Sequence, residues 1–179
     1  ELFTQPFITD WVLERLFGDK AERVKYTYLE PGKDGRYRMR PQFDTQRKVE
    51  AAFANKTSQE DRNLRDGLYA LISNVLFVRD HKDANKFHPR ISVQFDLIYE
   101  SLYDSDKYIF NKIYNDYFYR RNNHFWYREA MNKLPKLVEA TRMLVCAEDL
   151  GMVPDCVPWV MEELKILSLE LQSMPKDPN

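Results

Sequence analysis

The chain has 179 residues, of which 44% are hydrophobic and 14% aromatic, enough for one domain or slightly more with a substantial core. Its 27 Lys and Arg nearly balance its 28 Asp and Glu, which argues against a basic nucleic-acid surface and against an acidic disordered tail. No signal-like segment opens the chain, and no apolar run approaches the ~20 residues of a membrane span. We therefore expect a cytoplasmic protein with no nucleic-acid or membrane partner.

Helices and two short hairpins are expected in the first half of the chain. Capping residues, apolar periodicity and turn residues predict helices in residues 1–18, 44–54 and 58–71, and paired strands in 24–28 with 36–40 and in 75–78 with 87–91. Thr9 or Asp10 can cap the first helix, and Gly18 can end it. Asp44 or Thr45 can start the helix of residues 44–54. Ser58, with Asp61 three residues on, resembles a capping box.

The longest helix is predicted from about residue 105 to 133, with a break near Asn122. Ile109, Ile113 and Tyr117 form one apolar stripe, which further aromatic residues widen. A helix that is apolar over most of its circumference is usually buried, so we favour a central core helix. The alternative is a sugar- or base-stacking surface with Arg120 and Arg121.

The most informative stretch of the sequence lies near its end. Residues 143–147 form an apolar run, typical of a strand buried on both faces of a parallel sheet, and Glu148 and Asp149 follow it directly. A carboxylate just past the C-terminal end of such a strand lies where α/β barrels place their catalytic groups. Glu148 is therefore the candidate catalytic residue.

A second strand is predicted at residues 167–171, which alternate strictly between apolar and polar side chains. Asp155 can cap a helix between the two strands that runs to about Leu164. The crossover of residues 148–165 is long enough to join parallel strands. Two strands cannot close a barrel, and their open edges are prone to pair with other chains. We therefore expect self-association through exposed strand edges.

These elements predict a mainly α protein with some β (α+β). Residues 1–133 form a helix-rich region, and residues 134–179 form a strand–helix–strand piece of something larger. The two cysteines, Cys146 and Cys156, are interpreted as reduced and structural. The three histidines show no ligand spacing, so we predict no metal ion.

A family resemblance rests on residues 146–154, which read Cys-Ala-Glu-Asp-Leu-Gly-Met-Val-Pro. This segment resembles the part of 4-alpha-glucanotransferases (amylomaltases or disproportionating enzymes) that carries their general acid/base glutamate. The match continues through residues 160–164 and 171–175. It is closest to the plant-cytosolic type, whose catalytic barrel carries a long insertion. Landmarks of that insertion resemble residues 5–8, 78–80 and 87–90.

The resemblance implies a (β/α)8 barrel and a retaining mechanism. α-1,4-Glucosyl units would pass from maltose, maltooligosaccharides or α-glucans to glucan or glucose acceptors, with no metal or organic cofactor. Glu148 would be the general acid/base. Asp149 would either hydrogen-bond sugar hydroxyls or brace its loop. Gly151 would supply a turn conformation that other residues resist. Gln172 would either contact substrate or pack in a barrel layer, and packing is preferred.

Two of the family's three catalytic carboxylates have no counterpart in this chain. The nucleophilic aspartate lies in an Arg-x-Asp-His motif, and the ring-stabilising aspartate is expected beyond Asn179. Arg79-Asp80-His81 lacks the intervening residue and lies inside the insertion, so we do not assign Asp80 as the nucleophile. The isolated chain is expected to be inactive, because general acid help contributes only about 10²–10⁴-fold by itself. The alternative function is a non-catalytic glucan-docking or protein-interaction module formed by residues 1–130. Its candidate contacts are Arg120, Arg121, His124, Trp126 and Tyr127.

Overall fold

The computed structural model describes residues 2–148 and 153–169. The chain forms two compact units, which divide between Lys107 and Tyr108. The predicted boundary between the insertion and the barrel segment, at residues 133 and 134, lies within the second unit. It refers to the parent protein and stays a prediction.

Helices account for most of the described chain. The α-helices are α1 (Asp10–Phe17), α2 (Ala21–Tyr28), α3 (Gln46–Phe53), α4 (Gln59–Ser73), α5 (Leu97–Glu100), α6 (Asp104–Asn115), α7 (Asn123–Glu139) and α8 (Cys156–Leu164). Short 3-10 helices lie at Leu2–Thr4, Gly18–Lys20 and Val93–Phe95, and Asp116–Arg120 form a π-helical segment.

Three small sheets of two strands each complete the described structure. The strands are β1 (Leu29–Pro31), β2 (Tyr37–Met39), β3 (Phe77–Arg79), β4 (Phe87–Pro89), β5 (Cys146–Glu148) and β6 (Leu167–Leu169). β1 pairs with β2 and β3 with β4 in antiparallel fashion, whereas β5 and β6 are parallel. Mainly helical structure with small sheets confirms the prediction at the level of an α+β protein.

The helix starts of the first unit follow the predicted caps. Thr9, Thr45 and Ser58 precede α1, α3 and α4, and each side-chain oxygen accepts a hydrogen bond from a backbone N–H in the first turn. α1 ends at Gly18, whose φ of 56° lies in the left-handed region that favours glycine. The helix predicted for residues 1–18 begins only at Asp10, because the cap at Thr9 fixes its start.

The strand predicted at residues 24–28 is wrong, because these residues belong to helix α2. Val24 and Tyr28 are four residues apart, so they share one helical face, and both are buried in the core of the first unit. The predicted hairpin exists, but its first strand is β1. Its turn places Asp34 and Gly35 at φ 55° and 71°, the conformation that Asp-Gly favours in tight hairpin turns.

Asn74 holds three segments of the first unit together. It follows α4, and its side chain is only 3% exposed. The Nδ2 group donates to the Phe7 carbonyl at 2.7 Å, and Oδ1 accepts from the Ile98 N–H at 2.8 Å. The Asn74 carbonyl also accepts from the Phe7 N–H at 2.9 Å. The segment before α1 and the start of α5 are therefore both fixed to the end of α4.

The long aromatic helix of the second unit is interrupted by the π-helical segment and is not buried on the predicted stripe. Ile109 and Ile113 are 56% and 40% exposed, whereas Phe110 and Tyr114 are 4% and 6% exposed. The buried face is thus one residue further along the chain than predicted. The interruption lies at residues 116–122, close to the break expected near Asn122.

β5, α8 and β6 form a strand–helix–strand unit with parallel strands, as predicted. The prediction of a strand at residues 143–147 that is buried on both faces is wrong, because β5 begins only at Cys146 and Met143 and Leu144 are 78% and 69% exposed. Cys146, Ala147 and Glu148 pair in register with Leu167, Ser168 and Leu169. α8 ends with Lys165 in the left-handed conformation, and the Ile166 N–H donates to the Met161 carbonyl at 2.9 Å. The chain then enters β6 directly, since the Leu167 N–H donates to the Val145 carbonyl at 3.0 Å.

Candidate functional site

Glu148 is the last residue of β5, and its side chain is exposed. It pairs in register with Leu169, the last residue of β6. The two strands run parallel, so Glu148 and Leu169 lie on the same, C-terminal side of the described pair. The catalytic role of Glu148 stays a prediction.

A groove of about 400 Å³ adjoins Glu148 within the second unit. Its described lining comes from α7, β5, α8 and the residues next to α8. The lining residues are Trp126, Ala130, Leu134, Ala147, Glu148, Val153, Pro154, Cys156, Val157, Val160, Met161 and Ile166. Glu148 is the one charged residue among them.

Among the described lining residues, Trp126 supplies the one aromatic ring and Glu148 the one charged group. Sugar hydroxyls need hydrogen-bond partners, and burying them against apolar side chains alone would leave them unsatisfied. What the described site supplies is a single carboxylate at a strand edge, beside an apolar wall. Such a group can donate or accept a proton, but ring binding and nucleophilic attack require residues from elsewhere.

Three predicted residues of this region lie outside the described residues. They are Asp149 and Gln172, the candidate substrate contacts, and Gly151, the predicted turn residue. Their expected roles stay predictions.

Asp80 serves as a structural carboxylate in the first unit. Its Oδ2 is 2.7 Å from His88 Nε2, and its Oδ1 accepts from the backbone N–H groups of Lys82 and Asp83 at 2.7 and 2.9 Å. The His88 hydrogen bond, followed by the two backbone bonds, lowers the pKa of Asp80 to about 2. All of these contacts brace the turn between β3 and β4. They agree with the decision not to assign Asp80 as a nucleophile.

The candidate docking residues make contacts within the second unit. Arg120 lies 3.8 Å from the Asp155 carboxylate, and Arg121 pairs with Asp116 at 2.7 Å. Tyr127 donates its hydroxyl hydrogen to the Glu163 carboxylate, and its ring lies edge-on to Trp159 with the centroids 6.5 Å apart.

Trp126 and His124 have different surroundings. Trp126 lines the groove beside Glu148, whereas His124 is exposed. Sequence reasoning placed Trp126 in a docking surface and missed its location next to the candidate acid/base residue. No local pattern signals such a contact, because it depends on how α7 packs beside β5.

Metal sites and membrane-spanning helices were also searched for among the residues that the structure describes. Within residues 2–148 and 153–169, no three His, Cys, Asp or Glu side chains cluster as metal ligands would. Among the described helices, none is both long and apolar enough to span a membrane. Cys146 and Cys156 are both free thiols, the first exposed and the second buried.

Comparisons with known proteins bear directly on this site. The family model for 4-alpha-glucanotransferase matches residues 11–179, and this range includes Glu148. The chain is 32% identical over 181 residues to the 4-alpha-glucanotransferase DPE2 of Oryza sativa subsp. japonica. That match covers 98% of this chain but only 19% of the rice protein, so the chain spans about a fifth of this relative's length. No solved structure gives a significant match. Since the family model covers nearly the whole sequence, the chain belongs to the 4-alpha-glucanotransferase family.

Proposed function

We propose that this chain is part of an enzyme that transfers α-1,4-glucosyl units from maltose or α-glucans to glucan or glucose acceptors. The observation that carries the proposal is the position of Glu148 at the C-terminal end of a parallel-paired strand, the end at which barrel enzymes of this kind carry their chemistry. Family membership over residues 11–179 supports the same activity in the parent protein. Residues 134–179 are the proposed barrel segment, and residues 1–133 the proposed insertion.

The proposed mechanism uses Glu148 twice. As a carboxylic acid it gives its proton to the glycosidic oxygen, while an aspartate from another part of the parent attacks the anomeric carbon and displaces the leaving sugar. As a carboxylate it then takes the proton of an acceptor hydroxyl, whose oxygen attacks the anomeric carbon and releases the aspartate. The two displacements retain the α configuration. No metal or organic cofactor takes part in this proposal.

Retention requires the two carboxyl groups to lie only about 5–5.5 Å apart. Glu148 and Asp149 are adjacent in the sequence, and successive side chains of a strand point to opposite faces, so we do not propose them as that pair. We therefore propose that the nucleophile comes from the rest of the parent and that the isolated chain is inactive. Glu148-dependent glucose release by the chain alone would overturn this.

The test is glucose release from maltose, with glycogen as acceptor, by the full-length parent and its Glu148→Gln variant. Loss of the acid/base group is expected to lower turnover by about 10²-fold or more. Glu162→Gln is a matched control, because it makes the same chemical change at an exposed position on α8. Near-normal turnover of the Glu148 variant, with its fold intact, would overturn the assignment.

A non-catalytic glucan-docking role is the second candidate, and exposed aromatic rings of the second unit favour it. Phe125 is 52% exposed and Trp159 is 46% exposed, and exposed rings can stack on sugar faces. The fluorescence of Trp126 and Trp159 provides the test. A shift on titration with glycogen at millimolar glucose equivalents would support docking, and an unchanged spectrum would argue for a purely structural region.

A further inference from the structure

A second groove lies within the first unit and shares no residue with the groove beside Glu148. It runs between the α1–α2 corner and the start of α4, and its volume of about 470 Å³ is within the ~300–1,000 Å³ typical of small-molecule sites. Its described lining residues are Leu16, Phe17, Asp19, Lys20, Arg23, Val24, Tyr28, Ser58, Glu60, Asp61, Asn63 and Leu64. The proposed reaction uses none of them.

The hydroxyl group of Tyr28 distinguishes this groove from an ordinary cleft between helices. Tyr28 is only 7% exposed, and its ring lies edge-on to Phe43 with the centroids 4.8 Å apart. Among the described residues, no group forms a hydrogen bond with its hydroxyl. Polar groups of residues this buried usually have a hydrogen-bond partner. Because Tyr28 lines the groove, the partner of its hydroxyl has to come from the groove.

Other polar groups around Tyr28 are also available to a ligand. Burial raises the pKa of the Tyr28 hydroxyl, and the nearby charge of Arg23 lowers it in part, so the Arg23 guanidinium lies close to this hydroxyl. Arg23 is exposed and forms no hydrogen bond or ion pair with the described residues. Asn63 accepts a hydrogen bond from Gln59 through Oδ1 at 2.8 Å, which leaves its Nδ2 group as a donor. The exposed carboxylate of Asp19 adds an acceptor.

The charges of the lining favour a neutral ligand. The carboxylates of Asp19, Glu60 and Asp61 would repel an anion, whereas Lys20 and Arg23 would repel a cation. Lys20 and Glu60 pair with each other at 2.9 Å. Hydroxyl groups both donate and accept, so a neutral polyhydroxylated molecule can use the free donors and acceptors together. Its carbon atoms can lie against the apolar part of the lining, which α1, α2 and α4 supply.

We propose that this groove binds a short α-1,4-glucan through hydrogen bonds to the Tyr28 hydroxyl and the Arg23 guanidinium. The choice of a glucan among neutral polyhydroxylated molecules rests on the proposed function, since the parent then handles such chains as substrates and products. The site is a second glucan-binding site, formed by residues that take no part in the transfer reaction. The first unit would thus bind the substrate class on which the parent acts.

Hydrogen exchange in the full-length parent, measured by mass spectrometry, locates binding at this groove. The first backbone N–H groups of α4 have no partner within the helix, so peptides that cover residues 57–64 report on a ligand beside them. A bound ligand slows exchange by up to the factor 1 + [L]/Kd, which is about 10-fold at ten times the Kd. Titration with maltohexaose through the millimolar range is expected to give this protection.

Two variants test the named contacts. Tyr28→Phe removes the hydroxyl and keeps the ring in the core, and its Kd for maltohexaose should rise by about 3–10-fold. Arg23→Ala removes a charged donor, so its Kd should rise by about 10-fold or more. Tyr26→Phe and Arg47→Ala are the matched controls, because they make the same changes at exposed positions outside the groove. Both controls should bind maltohexaose as the unmodified parent does.

The ligand class is tested with two other probes. Isomaltohexaose has the same composition but α-1,6 links, and equal protection by it would overturn the preference for an α-1,4-glucan. Protection by inorganic phosphate but not by maltohexaose would overturn the choice of a neutral ligand. Equal protection in the parent and in both groove variants would place the binding elsewhere and overturn the site. Retained maltose turnover by Glu148→Gln would overturn the proposed function and leave the exchange result standing, so the two failures are distinguishable.

Discussion

Replacing Asn74 with alanine should destabilise the first unit strongly, because two backbone groups would lose their partner. The buried Ile98 N–H and the part-buried Phe7 carbonyl both bond to the side chain of Asn74, a residue that is only 3% exposed. Leaving a buried polar group unsatisfied costs about 1–3 kcal/mol, so the two groups give at most about 2–6 kcal/mol. A water entering the space left by the amide would satisfy one of them, and we therefore expect about 3 kcal/mol. Domains of this kind have only about 5–15 kcal/mol in total.

Urea unfolding followed by circular dichroism measures this loss directly. Asn55→Ala is the matched control, since Asn55 is exposed after α3 and its truncation leaves no buried group without a partner. The free energy of unfolding should fall by about 3 kcal/mol for the Asn74 variant and change by less than about 0.5 kcal/mol for the control. If the two variants unfold at the same urea concentration, the network around Asn74 does not stabilise the unit as argued.

Three further predictions concern other parts of the chain. Asp80 contacts His88 and two backbone N–H groups, and these contacts lower its pKa from 3.8 to about 2. They therefore stabilise the folded state above pH 4, and this contribution is lost as the pH falls towards 2. Asp80→Asn should remove that part of the pH dependence in unfolding curves recorded between pH 2 and 5. Gly67→Ala would place a Cβ 2.4 Å from the Phe17 ring, so overpacking of about 1–3 kcal/mol should outweigh the helical gain of about 0.5–1 kcal/mol. Its thermal midpoint should fall, and Phe17→Leu should restore it. The open edges of the β5–β6 pair should make the isolated chain self-associate, and light scattering at high concentration that shows a mass of 21.5 kDa would contradict this.

Features fixed by neighbouring residues could be predicted from the sequence. Thr9, Thr45 and Ser58 cap their helices because a cap depends only on the side chain and on the next three residues. The parallel pairing of β5 and β6 followed in the same way from an apolar run, a helix-length connection and an alternating segment. These signals are local or nearly so.

Features decided by packing could not be predicted. Residues 24–28 contain the β-branched and aromatic side chains typical of a strand, yet burial of Val24 and Tyr28 in one core fixes them as a helix. Phe110 and Tyr114 are buried instead of Ile109 and Ile113, although both pairs are apolar and have helical spacing. The π-helical segment that follows is likewise not signalled by any sequence pattern.

In the candidate site, too, local features could be predicted from the sequence and contacts made by packing could not. The strand end at Glu148 was predictable from the apolar run before it, whereas the acid/base role came from family resemblance alone. The contact between Arg120 and Asp155 joins residues far apart in the chain, so it leaves no periodic signal. Contacts of that kind become visible only when α7 and α8 are packed together.

The π-helical segment also determines how far α7 is rotated about its axis relative to the helix before it. It contains one residue more than an α-helical turn of the same span would hold, and each residue of an α-helix turns the chain by about 100°. Deleting a single residue between Asp116 and Arg120 would shift the turn at residues 121 and 122 and rotate the start of α7 by about that angle. Tyr127 would then face away from Glu163, and the aromatic face of α7 would leave α8. The contacts of α7 with α8 therefore constrain the number of residues in this short segment as much as the identity of its side chains. Insertions and deletions are expected to be tolerated better outside it.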